Sequence, residues 1–570
     1  MVNPLISMFA LATRQAKKTF VRQTRRASAV QAQFLQQLLQ VQQNTVLGQQ
    51  LKLAKIATVE QFREQVPIWP YANYEPYINR MTSGEPNILT PDPVHYIYLS
   101  SGSTGSCKLV PVTRRSKQSV ERAGRAAMGF ALEAAQNRGL PLGKILLTAS
   151  AKPIGHTDSG IAYGHISSTT TRLSNVFYRQ LFAQPFEALL PVDSLARNYV
   201  CLLFALQNPD LAIIGASFPI VGLKLCEYLE HYAESLIADL ERGAIADWLN
   251  LEPELRTTLN RQFSATPRRA AQLRHLLQTE TRLTPKLAWP QLSFLVTALG
   301  GTSNFYLERF ADYFGNAPTF GGTYAATEAT FGVHHNFNTD ATILAIESGF
   351  FEFIPADQWG QTIPKTLLPH EVKVGEYYRI LVTSYAGFYR YDIGDVVEVA
   401  GFFEQAPLII FRHRQGGTLS AITEKTTEYH VMQVMAALQQ EYNLHLEDFC
   451  ITLSEDITHA HYIFNIELLP EQTLAEPRQF LVAFDRKLQA ANISYALKRA
   501  NHDIPGPCLR FLAPGSFATL RQRQLGSGLP NTQMKFPHTS NDPTLLAGIK
   551  VERELQFPEE MIMEAIGDRR

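Results

Sequence analysis

The chain has 570 residues, 45% apolar and 18% charged, and its 52 basic and 52 acidic residues cancel. That composition excludes a disordered or fibrous chain, and zero net charge excludes a global field drawing in nucleic acid or an anionic membrane. The length exceeds one ordinary core and allows roughly two to four units. Five cysteines are scattered at 107, 201, 226, 450 and 508 with no C-x-x-C pair. They fit a reducing compartment, with neither a zinc site nor a disulfide framework.

The apolar stretch Pro4–Ala12 precedes its basic residues Lys17, Lys18, Arg22, Arg25 and Arg26. A secretory signal has the opposite order, and a spanning helix needs about twenty apolar residues. An amphipathic helix lying on the protein body and a cytoplasmic location are therefore expected. Gln, Ala, Leu and Val at helical spacing predict a packed surface helix over Ala27–Leu53, and Pro67-Ile-Trp-Pro-Tyr71 breaks the regularity after it.

The apolar run His95-Tyr-Ile-Tyr-Leu99 leads into Ser100-Ser-Gly-Ser-Thr-Gly-Ser-Cys-Lys108 and then Leu109-Val-Pro-Val-Thr113. Strand, hydroxyl-rich glycine loop, strand is the natural reading. Gly102 and Gly105 let successive N–H groups converge into a concavity that favours anions. Ser100, Ser101, Ser103 and Thr104 add hydroxyl donors and Lys108 a point charge, which together suit a polyphosphate. The spacing is neither a Walker A loop nor a dinucleotide fingerprint. An ordinary hairpin loop uses the same residue types, so both readings stand at this point.

A helix follows over Arg114–Ala135, then a short buried strand at Lys144–Ala149. Gly155–Ser167 reads as a glycine-dense loop whose His156 and His165, nine residues apart, form no metal signature. A strand-then-helix rhythm comes next: Leu211–Gly215 before a long helix Val221–Glu241, and Leu292–Leu299 before Gly300-Gly301 and a helix Asn304–Phe314. Ile245–Arg282 between them is helical. This rhythm predicts an α/β architecture, with ligands gathering at strand carboxyl ends where Gly300-Gly301 and Gly321-Gly322 fall. His334-His335 is a weak metal hypothesis, since neighbours in sequence rarely face one ion.

Tyr378–Thr383 is a further strand, and Asp395 follows a glycine at an expected strand-turn-strand corner. Ile409–Gly417 reads as a strand ending in a hinge, because adjacent glycines give a rotating domain its freedom. Beyond it lies a smaller α+β unit, with helices at Glu428–Tyr442 and Pro477–Ala491 and strands near Phe449–Leu453, His461–Leu468 and Cys508–Phe511.

Four stretches in this order carry a family resemblance: the Ser100–Lys108 loop, Gly321-Gly-Thr-Tyr-Ala-Ala-Thr-Glu328, Ser384–Val397 and Arg414–Lys425. Together they resemble the adenylate-forming enzymes, a superfamily of acyl-CoA ligases, luciferases and peptide-synthetase adenylation domains. Phe351-Glu-Phe-Ile-Pro355, Val382–Tyr391, Leu419–Glu428 and Asn531–Pro537 narrow the match. They are similar to the auxin-responsive-promoter-type, or Gretchen Hagen, acyl acid amido synthetases. The resemblance runs from Val66 to Pro537.

It implies a large multi-sheet α/β domain over 1–412, a hinge at 413–417 and a small mobile α+β domain over 418–570. It implies ATP and Mg²⁺ as cofactors, a carboxylic acid and an amine (an amino acid) as small-molecule partners, no nucleic acid, and a monomer. Ser100, Ser101, Ser103, Thr104 and Lys108 would hold phosphates. Thr323 and Tyr324 would meet adenine, Tyr324 by stacking, with Gly321-Gly322 admitting the purine. Glu328, a hard oxygen ligand, would hold Mg²⁺. Asp395 would hold the ribose, Arg414 and Lys425 ribose or phosphate, and Lys535 would be catalytic. Asp392 stands where the family often has arginine and receives no role. A thioester ligase and a catalytically inactive nucleotide- or acyl-acid-binding protein are the alternatives.

Overall fold

The structure, a computed structural model, describes residues 4–100, 108–164, 175–301, 303–414, 418–421, 424, 426–455, 460–500, 504–526, 536–542 and 544–558. The chain divides into two compact units, the first spanning Met1–Phe411 and the second beginning at Arg412. The division falls inside the strand Ala406–Arg414. No helix among the described residues is long and apolar enough to cross a membrane. Cys201, Cys226, Cys450 and Cys508 are free and buried.

The N-terminal helix runs over Pro4–Thr24 and lies on the helix Arg114–Asn137. Its contact is made less by the apolar stretch than by the turns after it. Met8 and Leu11 are exposed, whereas Thr13 and Phe20 are buried. Lys17 pairs with Glu133, and Phe20 meets Phe130 edge-on at 6.5 Å. The crossing is close at Gly129, where a Cβ would run into the Thr13 carbonyl. The capping box of Thr113 and Ser116 starts the partner helix directly after the strand Lys108–Val112. The expected Ala27–Leu53 helix is Ala27–Gln42, followed by a short Thr45-capped helix Val46–Gln50.

Among the described residues, three sheets build the first unit. In one, Tyr96–Ser100 pairs antiparallel with Lys108–Val112 and parallel with Ala162–Gly164. The supposed loop after Gly155 therefore begins as a small hairpin that extends this sheet. In the second, Lys144–Leu147, Leu211–Gly215, Phe294–Val296 and Thr319–Phe320 run parallel, covered by helices as the rhythm required. The long helix expected at Val221–Glu241 is two, Pro219–His231 and Ala233–Arg242, broken at Tyr232. Asn304–Phe314 likewise resolves into Ser303–Leu307 and Phe310–Phe314.

The third sheet orders its strands Phe350–Pro355, Tyr377–Ser384, Phe388–Phe403, Ala406–Arg414, Thr342–Leu344, Thr330–His334 and Thr323–Ala325. Most of the candidate site hangs on it. The strand Phe388–Phe403 is continuous, so the expected corner before Asp395 is absent. In its place is a bulge. Asp392 faces Leu381 and Val396 faces Arg379, so the long strand holds two more residues than its partner across this interval. Gly394 at φ +80° absorbs the distortion.

The second unit has a sheet ordered Thr539–Ser540, Leu446–Leu453, Tyr462–Leu468, Cys508–Leu512 and Val551–Leu555. The helices Glu428–Tyr442 and Pro477–Ala491 form as expected, the first with a Thr427/His430 capping box. Ile493–Ala500 and Ser516–Gly526 are further helices that the sequence reading did not name.

Candidate active site

Ser100 and Lys108 are opposite one another at the ends of their strands, so this pair closes the base of the glycine loop. Ser101, Ser103 and Thr104 lie outside the described residues, and Ser100 is described through its backbone. Lys108 is half-buried. Its Nζ lies 5.4 Å from the centre of the Tyr71 ring and donates to the Tyr391 hydroxyl at 3.4 Å. Tyr71 is clamped in turn, since its hydroxyl accepts the Leu109 N–H at 2.7 Å and donates to the Leu109 carbonyl at 3.1 Å. Burial pushes the Tyr71 phenol up to about 12.

Glu328 follows the strand Thr323–Ala325 by three residues and is 5% exposed, so it is no surface carboxylate. One oxygen accepts from Tyr391 at 3.0 Å and the other from Thr327 at 2.8 Å. Its own carbonyl accepts from Ser384, which fixes the turn to the end of the strand Tyr377–Ser384. Tyr391 thus stands between Lys108 and Glu328. Among the described residues no group of three His, Cys, Asp or Glu could hold a metal ion by itself. A buried carboxylate surrounded by hydroxyls is a donor set that fits Mg²⁺, which binds through one or two carboxylates and substrate phosphates.

Asp395 is 1% exposed and accepts from the Tyr324 hydroxyl at 2.7 Å. The Tyr324 ring stacks on Phe331 with centres 5.1 Å apart and tilts against Phe411 at 5.5 Å. The residue is half-buried, and its hydroxyl is the group that meets Asp395. Asp392, just before the bulge, pairs with Arg379 at 3.1 Å and accepts the Gly394 N–H at 2.9 Å. Burial raises its pKa, against the pull of Arg379, the Gly394 N–H and Lys108. Its structural task is to tie the bulge that carries Asp395.

Gly321 follows the carboxyl end of Thr319–Phe320, as expected for a ligand-facing turn. The reason for the glycine differs from the expected one. A Cβ there would overlap the His334 imidazole, so the space is filled by the protein's own side chain. Burial pushes His334 down to about 4, and its Nδ1 lies 3.2 Å from the Thr339 carbonyl. The neutral ring therefore carries its proton on Nδ1. Gly322, at φ +65°, is needed for the turn itself. Thr323 pairs with Val333 in the adjoining strand. Arg414 ends the strand Ala406–Arg414 in the second unit, and Lys425 and Lys535 lie outside the described residues.

Sequence reasoning gave no role to the residues that hold this arrangement together. Arg390 and Glu352 form a buried two-pronged pair, with Arg390 Nε and Nη2 each 2.9 Å from a Glu352 oxygen. Arg390 Nη1 also donates to the carbonyls of Arg63 and Val66 at 2.6 and 2.8 Å. Trp69 then pairs with the same long strand: its N–H reaches the Arg390 carbonyl and its carbonyl accepts the Asp392 N–H. The segment leading to Tyr71 is thereby laid along the strand that carries Tyr391 and Asp395. Both Glu352 and Arg390 sat in the quoted motifs, and the available signal was a charged residue amid otherwise apolar strand positions.

Several features recur in known proteins. A solved 2-hydroxyisobutyryl-CoA ligase, in the postadenylation state with R3-HIB-AMP, superposes with a TM-score of 0.50 at 10% identity, covering 93% of this chain and 90% of that one. The fold is therefore that of the adenylate-forming enzymes. A solved GH3.15 acyl acid amido synthetase superposes with a TM-score of 0.84 at 22% identity, covering 96% and 98%. Jasmonoyl–L-amino acid synthetase JAR4 of Nicotiana attenuata is 26% identical over 551 residues, 93% of each chain. Residues 16–319 match the GH3 family N-terminal domain, 342–414 the GH3 family central domain and 429–544 the GH3 family C-terminal domain. The chain belongs to the GH3 family.

Proposed function

We propose that the protein is an acyl acid amido synthetase that joins a carboxylic acid to an amino acid at the expense of ATP. The observation that carries this reading is two hydrogen-bonded groups, Lys108–Tyr391–Glu328 and Tyr324–Asp395, with Tyr391, Glu328 and Asp395 buried, in a chain matched by all three GH3 domains. In the first half-reaction a carboxylate oxygen attacks the α-phosphorus of ATP, giving an acyl-adenylate and pyrophosphate. In the second, the amine attacks the acyl carbonyl, and the amide and AMP leave. Neither step needs a nucleophilic side chain, because both depend on positioning and charge stabilisation.

The roles follow from this chemistry. Asp395 accepts ribose hydroxyls, with its free rotation limited by Tyr324. Thr323 lies beside the base. Lys108, with Ser100, Ser101, Ser103 and Thr104, holds the phosphates, and Arg414 and Lys425 supply further positive charge. Glu328 would hold Mg²⁺, which neutralises phosphate charge when bound. Lys535 stabilises the charge that builds on the α-phosphate and the leaving pyrophosphate. Residues 413–417 serve as a hinge between the two half-reactions. The enzyme acts as a cytoplasmic monomer.

A pyrophosphate-release screen over carboxylic acids, with hydroxylamine, amino acids or CoA as acceptor, tests the proposal. Amide formation with amino acids is expected. Turnover only with CoA would make the protein a thioester ligase, and silence in every arm would make it a binding protein.

A further inference from the structure

We propose that Tyr391 is a positioning residue that holds Glu328 and Lys108 in the geometry required by a metal-bound triphosphate. The inference rests on the reading of Glu328 as a metal ligand given above, and extends it to a residue with no assigned role.

The Tyr391 phenol has one proton to give, and its geometry assigns that proton to Glu328 at 3.0 Å, while the phenol oxygen accepts from the Lys108 ammonium at 3.4 Å. A donor and an acceptor of opposite charge are thus joined through one neutral hydroxyl. The ring has little freedom to be anything but fixed. It is fully buried, edge-on to Tyr74 at 5.9 Å and tilted on Phe388 at 4.8 Å. Its backbone is paired on both sides, with Val382 in one direction and Trp69 in the other. Tyr74 is itself anchored, since its hydroxyl donates to the Tyr389 carbonyl at 2.5 Å and accepts the Tyr389 N–H at 3.0 Å.

The function of such a contact is orientation. A lone carboxylate on a turn has several rotamers, and selecting one before the metal arrives lowers the ordering cost of binding. Thr327 restrains one Glu328 oxygen from the adjacent position in sequence, and Tyr391 restrains the other from across the sheet. The longer contact to Lys108 is the weaker, so the main effect runs through Glu328.

The experiment is a double-mutant cycle on the full chain using Tyr391→Phe, Glu328→Gln and the combination. Calorimetry measures ATP affinity with Mg²⁺ and with EDTA, and thermal unfolding monitors the fold. Outer partners of metal ligands commonly change metal affinity by about 10–100-fold. Tyr391→Phe is expected to weaken ATP binding about 10-fold with Mg²⁺ and far less in EDTA, and to cost nothing further once Glu328 is Gln. Should Tyr391→Phe lower the unfolding midpoint, the Glu328→Gln background still tests the idea, because the carboxylate that needs the donor is gone there. Equal losses in Mg²⁺ and EDTA, or additive losses in the cycle, would overturn the proposal for Tyr391. An unchanged Mg²⁺ effect in Glu328→Gln alone would instead overturn the metal reading of Glu328 on which it stands.

Discussion

At the scale of residues, the site depends on a few buried acceptors, each met by a hydroxyl. Asp395 lies in a bulge, out of solvent, with Tyr324 on one oxygen. If it accepts the ribose hydroxyls, Asp395→Ala should weaken ATP binding by about 1–3 kcal/mol, the cost of leaving such groups unpaired. Calorimetry on the folded variant measures this, and unchanged affinity would remove Asp395 from the nucleotide site. Lys535→Ala should slow acyl-adenylate formation roughly 10²–10³-fold, as loss of one transition-state donor does. It should spare amide formation from a supplied acyl-adenylate, so the half-reactions must be timed separately. Equal slowing of both would make Lys535 structural. Asp395 and Glu328 stand out as candidates in the sequence because their motifs are contiguous. The partnership of Lys108 with Tyr391 was not legible, because 283 positions separate them and no local pattern encodes the meeting.

At the scale of elements, strands and helices with a strong periodic pattern were legible, while breaks and bulges were not. Helix Glu428–Tyr442 announces itself by its cap and its period. The break at Tyr232 has no proline or glycine to mark it, and the bulge at Asp392–Val396 exists because tertiary pairing demands it. The Arg390–Glu352 pair fastens three elements at once: the segment at Arg63–Val66, the strand Phe350–Pro355 and the long strand. Arg390 itself is held at φ +43°, a conformation that every other non-glycine residue of the strand avoids. Glu352→Ala should cost about 3–5 kcal/mol by stranding a buried guanidinium, measurable by urea unfolding. A cost under about 1 kcal/mol would show that the Arg63 and Val66 carbonyls and the Thr366 hydroxyl, 3.2 Å from Nη2, suffice to satisfy Arg390.

In the second unit, His538 is stacked on Phe449 at 4.4 Å, with Nε2 3.1 Å from Asp448 and Nδ1 3.7 Å from Glu428. Arg521 shares Asp448. Burial alone would lower the imidazole, but Asp448 and Glu428 outweigh it and hold its pKa at about 9. A group raised on folding stabilises fully below its ordinary value near 6.5 and loses that contribution as the pH rises through 9. The unfolding midpoint of the second unit should therefore fall between pH 7 and 10, and His538→Asn should flatten that slope. An identical slope in the variant would dissociate the imidazole from the effect.

At the scale of the whole molecule, the two compact units and the family match are both consistent with chemistry carried out in two stages. Replacing Gly416 and Gly417 by proline should hamper passage between the half-reactions more than nucleotide binding. Wild-type rates for both halves in that variant would abandon the hinge. Length alone admits roughly two to four units, and the assembly of the first unit was not legible at all. Arg63 offers its carbonyl to Arg390 across 327 positions. On a ribosome adding about 5–20 residues per second, that separation is a wait of roughly 15–65 s. For all that time the segment from Arg63 to Tyr71 has no strand to lie along, and Lys108 no hydroxyl to meet. The contacts of Lys108 and of the Arg63–Tyr71 segment with the long strand are thus among the last in the first unit to form, and a nascent chain halted before residue 390 would carry Lys108 yet lack the Tyr391 hydroxyl to which it donates.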